Sequence, residues 1–175
     1  MKLDLSEITQ HIGMRSVQEI DETCFPEDAE LTCVSPLRGR VDLTNTGTLL
    51  LVRGKVGAEV RQQCGRCLSD LTLPVEADID EQFRLVHIGD SVVAVADDEE
   101  SELVANNILD LEELIRQNML VGIPIGPVCS PECRGLCPTC GSNLNQGECG
   151  CPQEPVESPF QALAGLLEEE SPEDS

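Results

Sequence analysis

From Leu31 the chain alternates. Leu31, Cys33, Leu37, Gly39, Val41 and Leu43 fall on one parity, and Arg38, Arg40 and Asp42 on the other. That period of two marks a strand with one buried face. Asn45-Thr46-Gly47 supplies a turn, after which Leu50, Val52, Val56, Ala58 and Val60 oppose Arg53, Lys55, Glu59 and Arg61. Gly54 and Gly57 inside this strand predict a bulge or bend. The alternation resumes as Leu71, Leu73, Val75, Ala77, Ile79, Phe83 and Leu85 against Thr72, Glu76, Asp78, Asp80, Gln82 and Arg84. Residues 64–67 therefore lie at the tip of a long antiparallel hairpin. Pro74 places its strand at a sheet edge or at a bulge.

The flanks are less regular. Residues 1–25 are weakly patterned and read as a strand or short helix. Residues 86–106 read as an exposed acidic loop that includes a short strand, Val92 to Val95. Asp110, with Glu113 three positions on, opens a helix whose stripe is Leu111, Leu114, Ile115 and Met119. Gly122 and Pro124 end it. Past Cys151 the chain is acidic and proline-rich. Ser158-Pro159 there starts a short helix, 158–168, with an apolar stripe of Phe160, Leu163, Leu166 and Leu167.

The predicted fold class is α+β: an antiparallel β-sheet or partly closed barrel with a packed helix, then a cysteine-rich zinc-binding segment and a short C-terminal helix. In domain terms these are 1–128, 129–151 and an acidic tail, 152–175.

Cysteine spacing changes the picture most. Residues 129–151 carry Cys129, Cys133, Cys137, Cys140, Cys149 and Cys151, and the hairpin tip adds Cys64 and Cys67 as C-x-x-C. Two thiolates two residues apart at a tight turn can take two corners of a tetrahedron, and two such pairs complete a zinc site. One partition joins Cys137, Cys140, Cys149 and Cys151 locally. It leaves Cys129 and Cys133 to meet Cys64 and Cys67, so that two zinc ions are held per chain. Iron–sulfur ligation is the rival reading. A thioredoxin-like role for the hairpin pair fits less well, because that motif sits where a strand meets a helix. Cys24 and Cys33 read as small buried apolar residues, and His11 and His87 as surface residues. Four protein ligands at each metal leave no open position for water, and no Gly-rich phosphate loop is visible. A non-enzyme is expected.

Composition narrows the partners. The 175 residues include three Phe and neither Trp nor Tyr, so aliphatic side chains must build the core. With 33 acidic and 11 basic residues the net charge is −22. Such a surface repels phosphate backbones at long range and attracts basic partners, ribosomal proteins among them. Residues 1–20 carry Asp4, Glu7 and Glu19 and no apolar run of signal length, and no stretch reaches membrane-span length. A cytoplasmic chain with reduced thiols is the expectation, with neither membrane nor DNA as a partner.

The C-x-R-C-L of Cys64 to Leu68, then C-x3-C-x-G-L-C-P-x-C-G-x-N-L-N and C-x-C, resembles the YceD family of large ribosomal RNA subunit accumulation proteins. Residues 158–166, reading S-P-F-Q-A-L-A-G-L, are similar to the motif that closes its members. The resemblance spans about Leu37 to Leu167. It implies a bacterial or organellar factor needed for normal levels or processing of large-subunit ribosomal RNA. Arg66 and Leu68 carry over as motif positions alone.

The reading that follows is a zinc-stabilised factor in ribosome biogenesis. Its candidate RNA-facing residues are Arg38, Arg40, Arg53, Lys55, Arg61 and Arg66, and contact with large-subunit RNA or its precursors is direct or indirect. The same residues fit an ordinary solvated sheet face. A thiol redox or metal-buffering protein, and an acidic adaptor that touches no RNA, stand as alternatives.

Overall fold

A computed structural model describes residues 1–23, 25, 31–96 and 103–152. The elements run β1 (Lys2–Asp4), α1 (Ser6–Gln10), β2 (Arg15–Glu22), β3 (Leu37–Asn45), β4 (Leu49–Gln63), β5 (Asp70–Ile88), β6 (Ser91–Val95), β7 (Val104–Ala105), β8 (Ile108–Asp110) and α2 (Leu111–Gly122). Strands β2-β3-β4-β5-β6 form an antiparallel meander, and β1-β8-β7 a small antiparallel sheet. Among the described residues β2 and β6 do not pair, so the larger sheet is open rather than a closed barrel.

The alternation has the consequence expected of it. Val41, Leu43, Leu50, Val52, Val56, Val60, Val75, Ala77, Ile79 and Phe83 are buried on one face. They share a core with Leu5, Ile8 and Leu109, and with Leu111, Leu114, Ile115 and Met119 of α2. Asp110 caps α2 by accepting from the Glu113 amide at 3.3 Å, a contact of about 1 kcal/mol.

Gly54 and Gly57 mark no bulge, because β4 keeps an unbroken register with β3 and β5. The glycines serve close approach instead. A Cβ on Gly39 would lie 2.1 Å from the Lys55 carbonyl oxygen, and one on Gly54 would lie 2.1 Å from that of Arg40. Pro74 sits in the part of β5 that pairs only with β4 among the described residues, which is the edge placement its missing N–H requires.

The N-terminal stretch holds two strands and a helix rather than one element. The strand pattern read as ending at Leu85 continues to Ile88, where Gly89 and Asp90 turn it into β6. Strands β7 and β8 went unread because they are only two and three residues long, too short for periodicity to register. Their turn, Asn106-Asn107, has φ of +52° and +62°, the backbone that a two-residue type I′ hairpin needs. Asn107 and Asn45 then knit the two sheets. The Asn107 side chain accepts from the Ala94 amide at 3.0 Å and donates to the Thr9 hydroxyl at 3.1 Å, while Asn45 donates to the Ile8 and Thr9 carbonyls at 2.8 and 3.0 Å.

Cys33 is half-buried and disulfide-bonded, so it is neither a small buried thiol nor the reduced thiol expected at this position. Cys24 lies outside the described residues. The helix expected at 158–168, the tail beyond Pro152 and residues 97–102 of the acidic stretch also lie outside them.

Candidate metal centres

The eight cysteines of the hairpin tip and the C-terminal segment gather as two groups, Cys64, Cys67, Cys129 and Cys133, and Cys137, Cys140, Cys149 and Cys151. The partition offered by the cysteine spacing has the same members. Within each group all four sulfurs lie within 4.8 Å of one another. Cys64 Sγ is 3.8 Å from Cys133 Sγ, and Cys67 Sγ is 3.7 Å from Cys129 Sγ. Four sulfurs about 2.3 Å from a central zinc ion stand about 3.8 Å apart, so the donor set fits one tetrahedral ion.

Each group begins with the same knuckle. In the first, the Cys64 amide donates to the Ser69 carbonyl at 2.9 Å and the Leu68 amide to the Cys64 carbonyl at 3.0 Å. In the second, the Cys137 amide donates to the Ser142 carbonyl at 2.8 Å and the Gly141 amide to the Cys137 carbonyl at 2.9 Å. The residue after the second cysteine is left-handed in both, Leu68 at φ +57° and Gly141 at +72°. A serine hydroxyl then meets that cysteine's sulfur, Ser69 at 3.4 Å from Cys67 and Ser142 at 3.2 Å from Cys140. C-x-x-C-x-S was legible at 64–69 and 137–142, and its two serines are site residues that spacing alone overlooks.

Electrostatics repeat as well. Amide N–H groups of Cys67, Cys129 and Arg66 hold the Cys64 thiol down at about 6, and those of Cys140 and Thr139 do the same for Cys137, also about 6. Ser69 lowers Cys67, and Ser142 lowers Cys140. One sulfur in each group moves the opposite way. Cys129 is pushed up to about 12, first by its contacts with the Cys133 and Cys67 sulfurs, and Cys151 to about 12 by those with Cys140 and Cys149. Four adjacent thiolates repel, and a bound cation is what allows all four to ionise.

Burial separates the groups. Cys64, Cys67 and Cys133 are buried, packed with Leu71 and Leu136 in a small core of their own. Each group has one exposed sulfur, Cys129 and Cys140, but in the second only Cys137 is buried, and Cys149 and Cys151 are half-buried. The first group is also laced to its surroundings: the Gly65 amide donates to the Pro127 carbonyl at 2.8 Å, and Arg66 donates to the Pro131 and Cys133 carbonyls, both at 3.2 Å.

The other basic candidates sit on the outer face of the sheet among acids. Arg38 pairs with Asp21 at 3.2 Å, Arg40 with Asp42 at 2.8 Å, Arg53 with Asp80 at 2.7 Å and Lys55 with Glu76 at 2.7 Å. The register explains this, since the basic positions of β3 and β4 lie between Glu19 and Asp21 of β2 and Glu76, Asp78 and Asp80 of β5. Arg61 is exposed on the same face. Arg66 is spent on the hairpin tip. An open hollow of about 430 Å³ lies over Gly54, rimmed by Arg40, Arg53, Lys55, Asp42 and Asp80.

The profile of the family described as "Large ribosomal RNA subunit accumulation protein YceD" matches residues 52–167, from within β4 through both cysteine groups. The chain belongs to the YceD family. It is similar to an uncharacterized protein of Mycobacterium tuberculosis (strain ATCC 25618 / H37Rv), 32% identical over 132 residues, which are 75% of this chain and 61% of that protein. A chloroplastic large ribosomal RNA subunit accumulation protein YCED homolog 1 of Arabidopsis thaliana is 33% identical over 61 residues, 35% of this chain and 19% of that one. The Zea mays protein of the same name is 37% identical over 62 residues, 34% and 21% of the two chains. This YceD chain thus spans about three fifths of the mycobacterial relative and a fifth of the plant ones. No solved structure matches it.

Proposed function

We propose that this YceD-family chain is a zinc-stapled, non-enzymatic factor that supports accumulation or processing of large-subunit ribosomal RNA, and with it assembly of the large ribosomal subunit in the cytoplasm. The carrying observation is the family match, which takes in both cysteine groups. Zinc is the ion favoured by four thiolates at single-ion spacing; irons of a polynuclear cluster, each taking its own thiolate, need their sulfurs farther apart. With all ligands supplied by protein the ion shapes the fold and has no position for a reacting water.

The charge arrangement favours indirect contact with RNA. Four of the six basic candidates already meet carboxylates, and the chain as a whole carries −22, so basic ribosomal proteins are the partners that its field attracts. A thiol redox role has less support, because Cys64, whose pKa is low enough for a reactive thiolate, is fully buried.

Depleting the protein and quantifying large- against small-subunit ribosomal RNA and precursors tests the function. A selective fall in large-subunit RNA is expected, and unchanged levels would sink the reading. Metal analysis of the purified chain should find zinc near two per chain, without the visible absorption of iron–sulfur centres.

A further inference from the structure

Asn143-Leu144-Asn145 lies in sequence between Cys140 and Cys149, inside the loop that the second cysteine group closes. Its side chains reach the first group. Asn145 Nδ2 donates to Cys133 Sγ at 3.3 Å and to Asn143 Oδ1 at 2.9 Å. Asn143 Nδ2 donates to the Ser69 hydroxyl at 3.1 Å, and Ser69 Oγ is 3.4 Å from Cys67 Sγ. Backbone contacts hold the segment in place: the Leu144 amide donates to the Gly135 carbonyl at 2.9 Å, the Asn145 amide to Asn143 Oδ1 at 3.0 Å, and the Arg134 amide to Asn145 Oδ1 at 2.8 Å.

An unbroken chain of hydrogen bonds therefore runs from the loop of one sulfur group to two sulfurs of the other. Hydrogen bonds to ligand sulfur orient it and stabilise its thiolate form, and outer partners of this kind are worth about 10- to 100-fold in metal affinity. An ion in the second group would draw the loop's ends, Cys140 and Cys149, together and so favour the position from which Asn143 and Asn145 reach the first group.

We infer that Asn143 and Asn145 are positioning residues for the first metal centre, and that through them metal in the second centre strengthens metal retention in the first. The inference rests on the metal-binding reading of both groups. Coupling of this sort is reciprocal, so metal in the first centre strengthens retention in the second by the same factor.

The test uses the full chain, stripped of metal under reducing conditions and titrated with cobalt(II) against a competing chelator. C64S and C137S variants assign the thiolate-to-cobalt absorption bands to their centres. N145D, read together with the uncharged N145L, is the decisive variant: both remove the donor to Cys133 Sγ and Asn143 Oδ1, the carboxylate keeps the acceptor for the Arg134 amide, and N145L adds no charge beside the ion. Expected results are a fall of about 10- to 100-fold in first-centre affinity and a shift of its charge-transfer band to lower energy. C149S/C151S, which removes two ligands of the second centre only, is expected to lower first-centre affinity in the same direction. N145D should then add little in that background, since the loop is already released. If N145D leaves affinity and band unchanged while two ions still bind, the coupling is wrong and the metal reading stands. A normal first centre in C149S/C151S also overturns the coupling. Fewer than two ions on the unaltered chain would overturn the metal reading itself.

Discussion

Residues 64–69 and 137–142 form the same knuckle by hydrogen bonds, backbone sign and flanking serine, yet the chain uses them differently. The first joins β4 to β5 and buries its sulfurs against a segment more than 60 residues away in sequence. The second closes on itself, with Cys140 exposed. An ion in the first centre ties together distant parts of the chain, a closure costing about 1–2 kcal/mol more than that of a short local loop, and its binding energy is added to the stability of the contact between them. One motif thus serves as a staple between the sheet and the C-terminal segment in one place, and as a local clasp in the other.

Replacing Cys64 with serine should break this contrast most severely. Loss of the first centre is expected to cost at least ~3 kcal/mol of unfolding free energy and to expose the chain after α2 to limited proteolysis. One metal per chain should remain in the second centre, held less tightly. A C64S protein with full stability and a protected C-terminal segment would show that the first centre is no staple.

Chelation should sharpen the difference in time. Removal of metal from the native chain is expected in two phases, the exposed second centre emptying first and the first centre following at a rate lower by about tenfold or more. Stopped-flow absorbance of the cobalt form would follow both. Simultaneous loss would mean that burial does not distinguish the centres.

Arg66 to alanine removes two charge-assisted hydrogen bonds to the Pro131 and Cys133 carbonyls, and about 1–2 kcal/mol is expected in denaturant unfolding. The exposure of Arg66 keeps the effect at this level. Arg134 to alanine, beside the second loop, tests the contrast, since its exposed pair with Glu148 at 3.9 Å should contribute little.

Leu68 to glycine should act in the opposite direction. Leu68 is left-handed at φ +57° and 58% exposed, and its counterpart in the other knuckle is already glycine. Relieving that backbone should stabilise the chain by up to about 1 kcal/mol. A loss instead would mean that the leucine side chain has a packing role that its exposure conceals.

Cys140 to serine is expected to cost less than Cys64 to serine on unfolding of the sheet, about 1–3 kcal/mol through weakened retention in the first centre, although one metal ion is lost. A loss as large as that of Cys64 to serine would erase the distinction between staple and clasp.

Alternation along the sequence defined β3, β4 and most of β5, because a half-buried strand must alternate, and Val41, Val52 and Ile79 could face only one way. The cysteine spacing suggested one division, because C-x-x-C can span neighbouring corners of a tetrahedron, but which pairs meet was decided by the fold. Asp110 announced its helix through chemistry that is local to the cap. Other features depended on approach between distant backbones. Gly54 of β4 read as a bulge in one dimension, and only pairing revealed the Arg40 carbonyl 2.1 Å from its would-be Cβ. The basic face lost most of its free charge once β2 and β5 brought their acids alongside. Asn143 and Asn145 lie in sequence within the loop of one centre, and only the fold sets Asn145 against Cys133 of the other and Asn143 against Ser69 beside it, since a hydrogen bond depends on position in space and sequence spacing does not record it.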